Sequence, residues 1–192
     1  MTSFRHILFD LDGTLIDSLP GISWSIDAAF AQCGLPHTSR NLQQFLGPPI
    51  RTMLSAISGI SDAATLDPLE QAFRHSYDSE GWRKSTCRTG VPELLRDLAA
   101  AGVELFIVTN KPAPATHKIL RELALDSFFQ EVVCRGNHSS KAQLLTGLLE
   151  RRALDPAACL MVGDTREDSD AAAAAGVACK IVSSNFSEEV TL

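Results

Sequence analysis

The chain has 192 residues, 45% of them hydrophobic and 21% charged, with a formal net charge of −6. That length supports one full core plus a small accessory lobe, and the acidic balance without any Lys/Arg run argues against a nucleic-acid surface. No apolar run approaches the roughly 20 residues that span a bilayer, and the N-terminus has neither signal nor transit character, so neither membrane nor export is expected and a cytoplasmic address follows.

The first element predicted is a buried strand. Ile7, Leu8 and Phe9 form an apolar block of the kind a parallel sheet covers on both faces, and it ends in Asp10, Asp12 and Gly13. In an extended segment, residues two apart point the same way, so the two carboxylates would crowd unless a cation or a proton sits between them. An Asx turn capped by Asp12 explains a lone Asp-Gly pair, but not the doubled acid.

From Gly21 to Cys33, apolar residues recur at helical spacing, closing at Gly34 and Pro36. The pattern stays helical from Thr38 to Trp82, with a break at Gly47-Pro48-Pro49 and a further helix from Leu66 through Trp82. An all-helical insert is expected over 18–88, hung on linkers near Ser18 and Thr89. Such an insert suits a lid.

After Gly90 the character changes. A helix ended by Gly102 leads into a strand over Val103–Asn110. Then follow a helix over Pro114–Ala124, a strand over Glu131–Cys134, a helix over Lys141–Arg152, a strand over Cys159–Val162, a helix over Arg166–Ala175 and a strand over Ala178–Val182. This alternation predicts an α/β core with a doubly wound parallel sheet, built from 1–17 and 89–192. The five cysteines lack C-x-x-C or finger-like spacing and read as reduced, small hydrophobic residues rather than zinc ligands.

Ligands of open α/β sheets gather outside the carboxyl ends of the strands. The first strand offers Asp10 and Asp12 there, the second Thr109-Asn110-Lys111, and the fourth Gly163-Asp164-Thr165-Arg166-Glu167-Asp168. Taken singly, Thr109 and Asn110 read as helix caps, Asp164 and Asp168 as capping and dipole complements, and Lys141 as a surface lysine. A lysine at a helix start is disfavoured unless an anion lies before it, so Lys141 is expected at the same rim. The carboxylates would bind a hard divalent cation such as Mg2+, and Thr109 and Lys141 would hold a phosphoryl group. Asp10 would attack phosphorus and form an aspartyl phosphate.

Asp10-Leu11-Asp12-Gly13-Thr14, Thr109-Asn110, Lys141 and Gly163-Asp164-Thr165-Arg166-Glu167-Asp168, in this order and spacing, resemble the haloacid dehalogenase superfamily, in particular its phosphoglycolate phosphatase-like branch. The resemblance spans nearly the whole chain and implies a Rossmann-like core with a helical cap. By position, Asp10 resembles the nucleophile and a Mg2+ ligand. Asp12 resembles the general acid/base, also reaching the metal through its backbone carbonyl. Thr109 and Asn110 are similar to phosphate binders, Lys141 to the charge stabiliser, Asp164 to a direct metal ligand and Asp168 to a ligand of metal-bound water.

The implied activity is Mg2+-dependent hydrolysis of a small phosphorylated metabolite such as phosphoglycolate, by a monomer or homodimer. A sugar phosphomutase, another phosphoryl transferase of the superfamily, or a non-catalytic phosphate-binding regulatory module are the other readings. A dehalogenase would lack the second acid, and a phosphonatase would want a Schiff-base lysine in the cap, where the only lysine is Lys84, close to the hinge. Two departures stand out: Ala142 follows Lys141 where many relatives carry proline, and Ser183–Ser187 lacks a Trp-Gly loop. In the insert, the turn before Ile50 is expected to bring Arg51, or else Arg74 or His75, to a substrate carboxylate.

Overall fold

The computed structural model describes residues 4–36, 42–45, 49–136 and 140–182. The Gly47-Pro48 turn and the Ser183–Ser187 end lie outside these residues. In chain order the elements are β1 (His6–Phe9), β2 (Ile16–Asp17), α1 (Leu19–Gln32), α2 (Ile50–Ser58), α3 (Ala63–Ser79), β3 (Thr86–Cys87), α4 (Val91–Ala100), β4 (Glu104–Thr109), α5 (Ala113–Glu122), β5 (Phe129–Cys134), α6 (Lys141–Arg152), β6 (Cys159–Gly163), α7 (Arg166–Ala174) and β7 (Ala178–Ile181), with short 3-10 turns between some of them. They fall into two compact units: Met1–Asp17 with Thr86–Leu192, and Ser18–Ser85.

The first unit is an α/β structure around a five-stranded parallel sheet in the order β5-β4-β1-β6-β7. The chain steps outward from β1 through β4 to β5, then returns to the other side of β1 for β6 and β7. That reversal puts the crevice at the carboxyl end of β1. Leu8 stands in register with Phe106 on one side and Met161 on the other. These three pack with Leu145, Leu148 and Leu149 of α6 and Ala171 and Ala172 of α7.

The intervening residues Ile7, Phe9, Leu105, Ile107, Leu160 and Val162 point to the opposite face and are also buried. Cover on both faces is why these strands read as continuous apolar runs rather than as alternation. Each large side chain withdrawn from water here contributes about 1.5–3 kcal/mol. The sheet centre therefore forms a firm base for polar strand tips.

In the second unit every described element is helical. α1 begins at Leu19, two residues before the expected start, because Pro20 fits the first turn, where its missing N–H is no loss. α3 begins at Ala63 rather than Leu66, since the Asp62 side chain accepts from Thr65 N–H at 2.9 Å. It ends at Ser79, and Gly81–Lys84 continues as a 3-10 turn.

Within the first unit Ile16 pairs with Cys87 and Asp17 with Thr86 in a short antiparallel ribbon. Strands of two residues carry no periodicity, which is why the pattern missed them.

Candidate active site

Asp10 directly follows β1, and its N–H donates to the Val162 carbonyl of β6 at 2.9 Å, which extends the sheet pairing to the acid itself. Its carboxylate, with those of Asp164 and Asp168, presents oxygens that all lie within 4.8 Å of one another. Asp164 follows β6. Asp168 stands in the first turn of α7, where its Oδ2 accepts from the Thr165 N–H at 3.0 Å and the Thr165 hydroxyl at 2.7 Å.

The Lys141 ammonium lies 2.8 Å from Asp10 Oδ1 and 2.5 Å from Asp168 Oδ1, and the side chain is 3% exposed. Lys141 opens α6, and Ser140 and Gln143 cap that helix reciprocally. The two carboxylates supply the anions that a lysine at a helix start needs.

Three carboxylates against one ammonium leave an excess of two negative charges in a nearly dry volume. Burial, reinforced by Asp168 and Asp12 and opposed by Lys141, pushes the Asp10 carboxyl up to about 7. Burial with Asp168 beside it also raises Asp164, against the Thr14 hydrogen bond and Lys141. Burial alone would lower Lys141, but Asp10 and Asp168 outweigh it and hold the ammonium above its ordinary value. An all-oxygen donor set with this excess fits a hard divalent cation such as Mg2+.

Two glycines allow the acids to come so close. Gly13 has φ +81°, and a Cβ there would lie 2.1 Å from Asp164 Oδ2; a Cβ on Gly163 would lie 2.2 Å from Asp168 Cγ. Both backbones press against site carboxylates where no side chain fits.

Asp12 is held differently from Asp10. Lys111 Nζ lies 2.9 Å from Asp12 Oδ1 and 3.0 Å from Oδ2. The crowding expected of the two acids is thus relieved by a separate lysine on each. Thr109 is buried at the end of β4, and its hydroxyl oxygen accepts from the Lys111 N–H at 3.2 Å rather than capping α5. The Asn110 side-chain amide donates to Glu167 Oε2 at 2.9 Å. Its own oxygen is buried and has no hydrogen-bond partner among the described residues.

The structure thus brings Asp10, Asp12, Thr109, Asn110, Lys141, Asp164 and Asp168 to one end of the sheet. Arg51 belongs to the second unit, where its guanidinium is taken by Asp67 at 2.6 Å and Glu70 at 2.9 Å. Arg74 also pairs with Glu70, and His75 is exposed.

Four further residues touch the site. Lys111 follows the β4 strand end and faces several acids, a signal that the sequence carries. Glu167 lies between Asp164 and Asp168 and takes the Asn110 amide. Thr14 donates to Asp164 Oδ1 at 3.1 Å. The Arg88 guanidinium donates to the Gly13 carbonyl, while its N–H donates to the Leu15 carbonyl at 3.0 Å. Nothing local in the sequence marks Arg88, because its partner lies 75 residues away.

Among the described residues no helix is long and apolar enough to cross a membrane, and all five cysteines are free.

A family model described as "Haloacid dehalogenase-like hydrolase" matches residues 7–182. Over 191 residues the chain is 33% identical to a 5'-nucleotidase of Pseudomonas aeruginosa, covering 97% of this chain and 86% of that protein. It is 32% identical to a phosphoglycolate phosphatase of Yersinia pestis, covering 92% and 80%. Among solved structures, that of Mycobacterium tuberculosis Protein Tyrosine Kinase A (PtkA) superposes with a TM-score of 0.84 at 32% identity, over 94% of this chain and 84% of that one.

Proposed function

Because the chain belongs to the haloacid dehalogenase-like hydrolases and is a phosphatase of that family, we propose that it hydrolyses a small phosphomonoester through an aspartyl phosphate on Asp10. The observation that carries this reading is the Asp10–Lys141–Asp168 arrangement, with Asp164 within reach of the same point. Asp10 would be the nucleophile. Its carboxylate and those of Asp164 and Asp168, with the Asp12 backbone carbonyl, would hold Mg2+. When bound, that cation would screen the attacking carboxylate from the phosphate dianion.

In the first step an Asp10 oxygen forms the bond to phosphorus while the bond from phosphorus to the leaving oxygen breaks. The electron pair goes to that oxygen, which takes a proton from Asp12, protonated for this step with one oxygen turned from Lys111 to the leaving group. In the second step Asp12, now a carboxylate, takes a proton from the water that attacks phosphorus, and Asp10 is released as a carboxylate. Lys141 and the Thr109 hydroxyl would bind the phosphoryl oxygens, and the donors at Lys141 would meet charge as it develops. The Asn110 amide nitrogen is committed to Glu167, so Asn110 would bind phosphate through its backbone N–H.

The helical unit over Ser18–Ser85 would act as a cap that excludes water and selects the substrate. Phosphoglycolate and 5'-nucleotides are the first candidates, since relatives are named for them. A panel of phosphomonoesters assayed with Mg2+ and with a chelator tests the reading. Turnover that needs the metal and favours one small phosphate supports it; no turnover on any member refutes it.

A further inference from the structure

We propose that Lys111 is the positioning residue for Asp12: it holds this carboxylate apart from the Asp10, Asp164 and Asp168 cluster and aims it for proton delivery. The inference rests on the phosphatase reading above. Asp12 Oδ1 and Oδ2 both sit on the Lys111 ammonium, at 2.9 and 3.0 Å. The three carboxylates that converge on one point are those of Asp10, Asp164 and Asp168, and Asp12 is not among them.

The Asp12 side chain is 33% exposed, so packing alone does not fix its rotamer, whereas that of Lys111 is 5% exposed. Lys111 is anchored in the short connection after β4: its N–H bonds the Thr109 hydroxyl, and Pro112 next to it leads into α5. The more buried partner therefore sets the position of the more exposed one. An ammonium nearly equidistant from both carboxylate oxygens is a charge-assisted contact that holds the carboxylate at a set distance.

The same geometry distinguishes two aspartates that lie one residue apart. Asp10 is held by Lys141, which also touches Asp168, and so stays with the metal-fitting cluster. Asp12 is held instead by a different lysine, 99 residues distant. Without Lys111, the Asp12 carboxylate is free to turn to solvent or towards the cluster, and the leaving oxygen loses its proton donor. Acid/base catalysis of this kind contributes roughly 10²–10⁴-fold, most for leaving groups that depart poorly as anions.

The test compares an alkyl phosphate, whose leaving oxygen needs the proton, with p-nitrophenyl phosphate, whose leaving group needs it little. In Lys111→Met the alkyl phosphate kcat falls about tenfold or more, with the aryl phosphate kcat and both KM values changed by less than about threefold. Lys111→Arg restores part of the alkyl activity, and adding Lys111→Met to Asp12→Asn costs nothing further. Equal losses on both substrates, a rise in KM alone, or full additivity with Asp12→Asn overturns the inference. Wild type and Asp10→Asn run alongside: an inactive wild type refutes the phosphatase reading, whereas an active wild type with an unselective Lys111→Met refutes the role of Lys111 alone.

Discussion

The Thr14 hydroxyl donates to Asp164 Oδ1 at 3.1 Å, joining the loop after the first strand to the loop after the sixth across 150 residues of sequence. Asp164 carries no other hydrogen bond to a side chain among those described, so this one helps to orient its carboxylate. Groups that orient metal ligands typically matter by 10–100-fold in metal affinity. Thr14→Val should therefore weaken Mg2+ binding by roughly tenfold or more, whereas Thr14→Ser should stay near wild type; titration calorimetry with Mg2+ measures both.

Gly13 is expected to tolerate no side chain. Its φ of +81° already strains any L residue, and a Cβ would stand 2.1 Å from the Asp164 carboxylate. Gly13→Ala should cost about 1–3 kcal/mol of stability in urea unfolding and should also abolish turnover, because Asp164 has to move. A variant that kept wild-type stability would show that the loop relaxes freely.

Lys141 is the buried counter-ion of Asp10 and Asp168, so removing it leaves the three carboxylates with no positive partner within the cluster. Truncating one side of such a pair costs about 3–5 kcal/mol. Lys141→Met should lower the thermal midpoint and abolish activity. Adding Mg2+ should raise the midpoint by more in the variant than in wild type, since a cation then meets the larger uncompensated charge. Melting curves with and without Mg2+ decide it; equal Mg2+ shifts would argue that Lys141 and the metal do not share these carboxylates.

In the helical unit, Arg51 holds Asp67 and Glu70, and Arg74 holds Glu70 as well. Burial pushes the Glu70 carboxyl up, but the hydrogen bonds from Arg74 and Arg51 outweigh it and hold it below its ordinary value. The stabilisation is thus fully present above the unfolded value of about 4.3. It is lost as pH falls through the lower folded value. Glu70→Gln should cost about 0.5–1 kcal/mol at pH 7 and little in strong acid. Arg51→Ala should lower stability by a similar amount while leaving the preference between carboxylated and neutral phosphomonoesters within about twofold. A marked change in that preference would instead favour the substrate-carboxylate role expected from the sequence.

The sheet was legible in the sequence because strands covered on both faces, such as Leu105–Val108, read as apolar blocks, and because Gly102 and Gly176 punctuate the helices between them. The α6 boundaries, Lys141 and Arg152, were legible too: Ser140 caps the helix and two arginines close it. The β2–β3 ribbon was not, since two residues cannot show a period. The acids and Lys141 could be named from their places at strand ends and from family resemblance. The contacts of Lys111 and Arg88 could not, because each reaches across more than 70 residues to a partner that only the folded sheet supplies. The partners of Arg51, Asp67 and Glu70, stand on a different helix, so the periodicity of its own helix does not show the pairing.

Whether Asp10 is the nucleophile is decided by Mg2+-dependent hydrolysis of p-nitrophenyl phosphate by Asp10→Asn against wild type, with circular dichroism to confirm the fold. The substitution keeps the shape of the side chain and removes the attacking oxygen's charge. Turnover should fall to background with an unchanged spectrum. Substantial residual turnover by the folded variant would show that Asp10 is not the nucleophile.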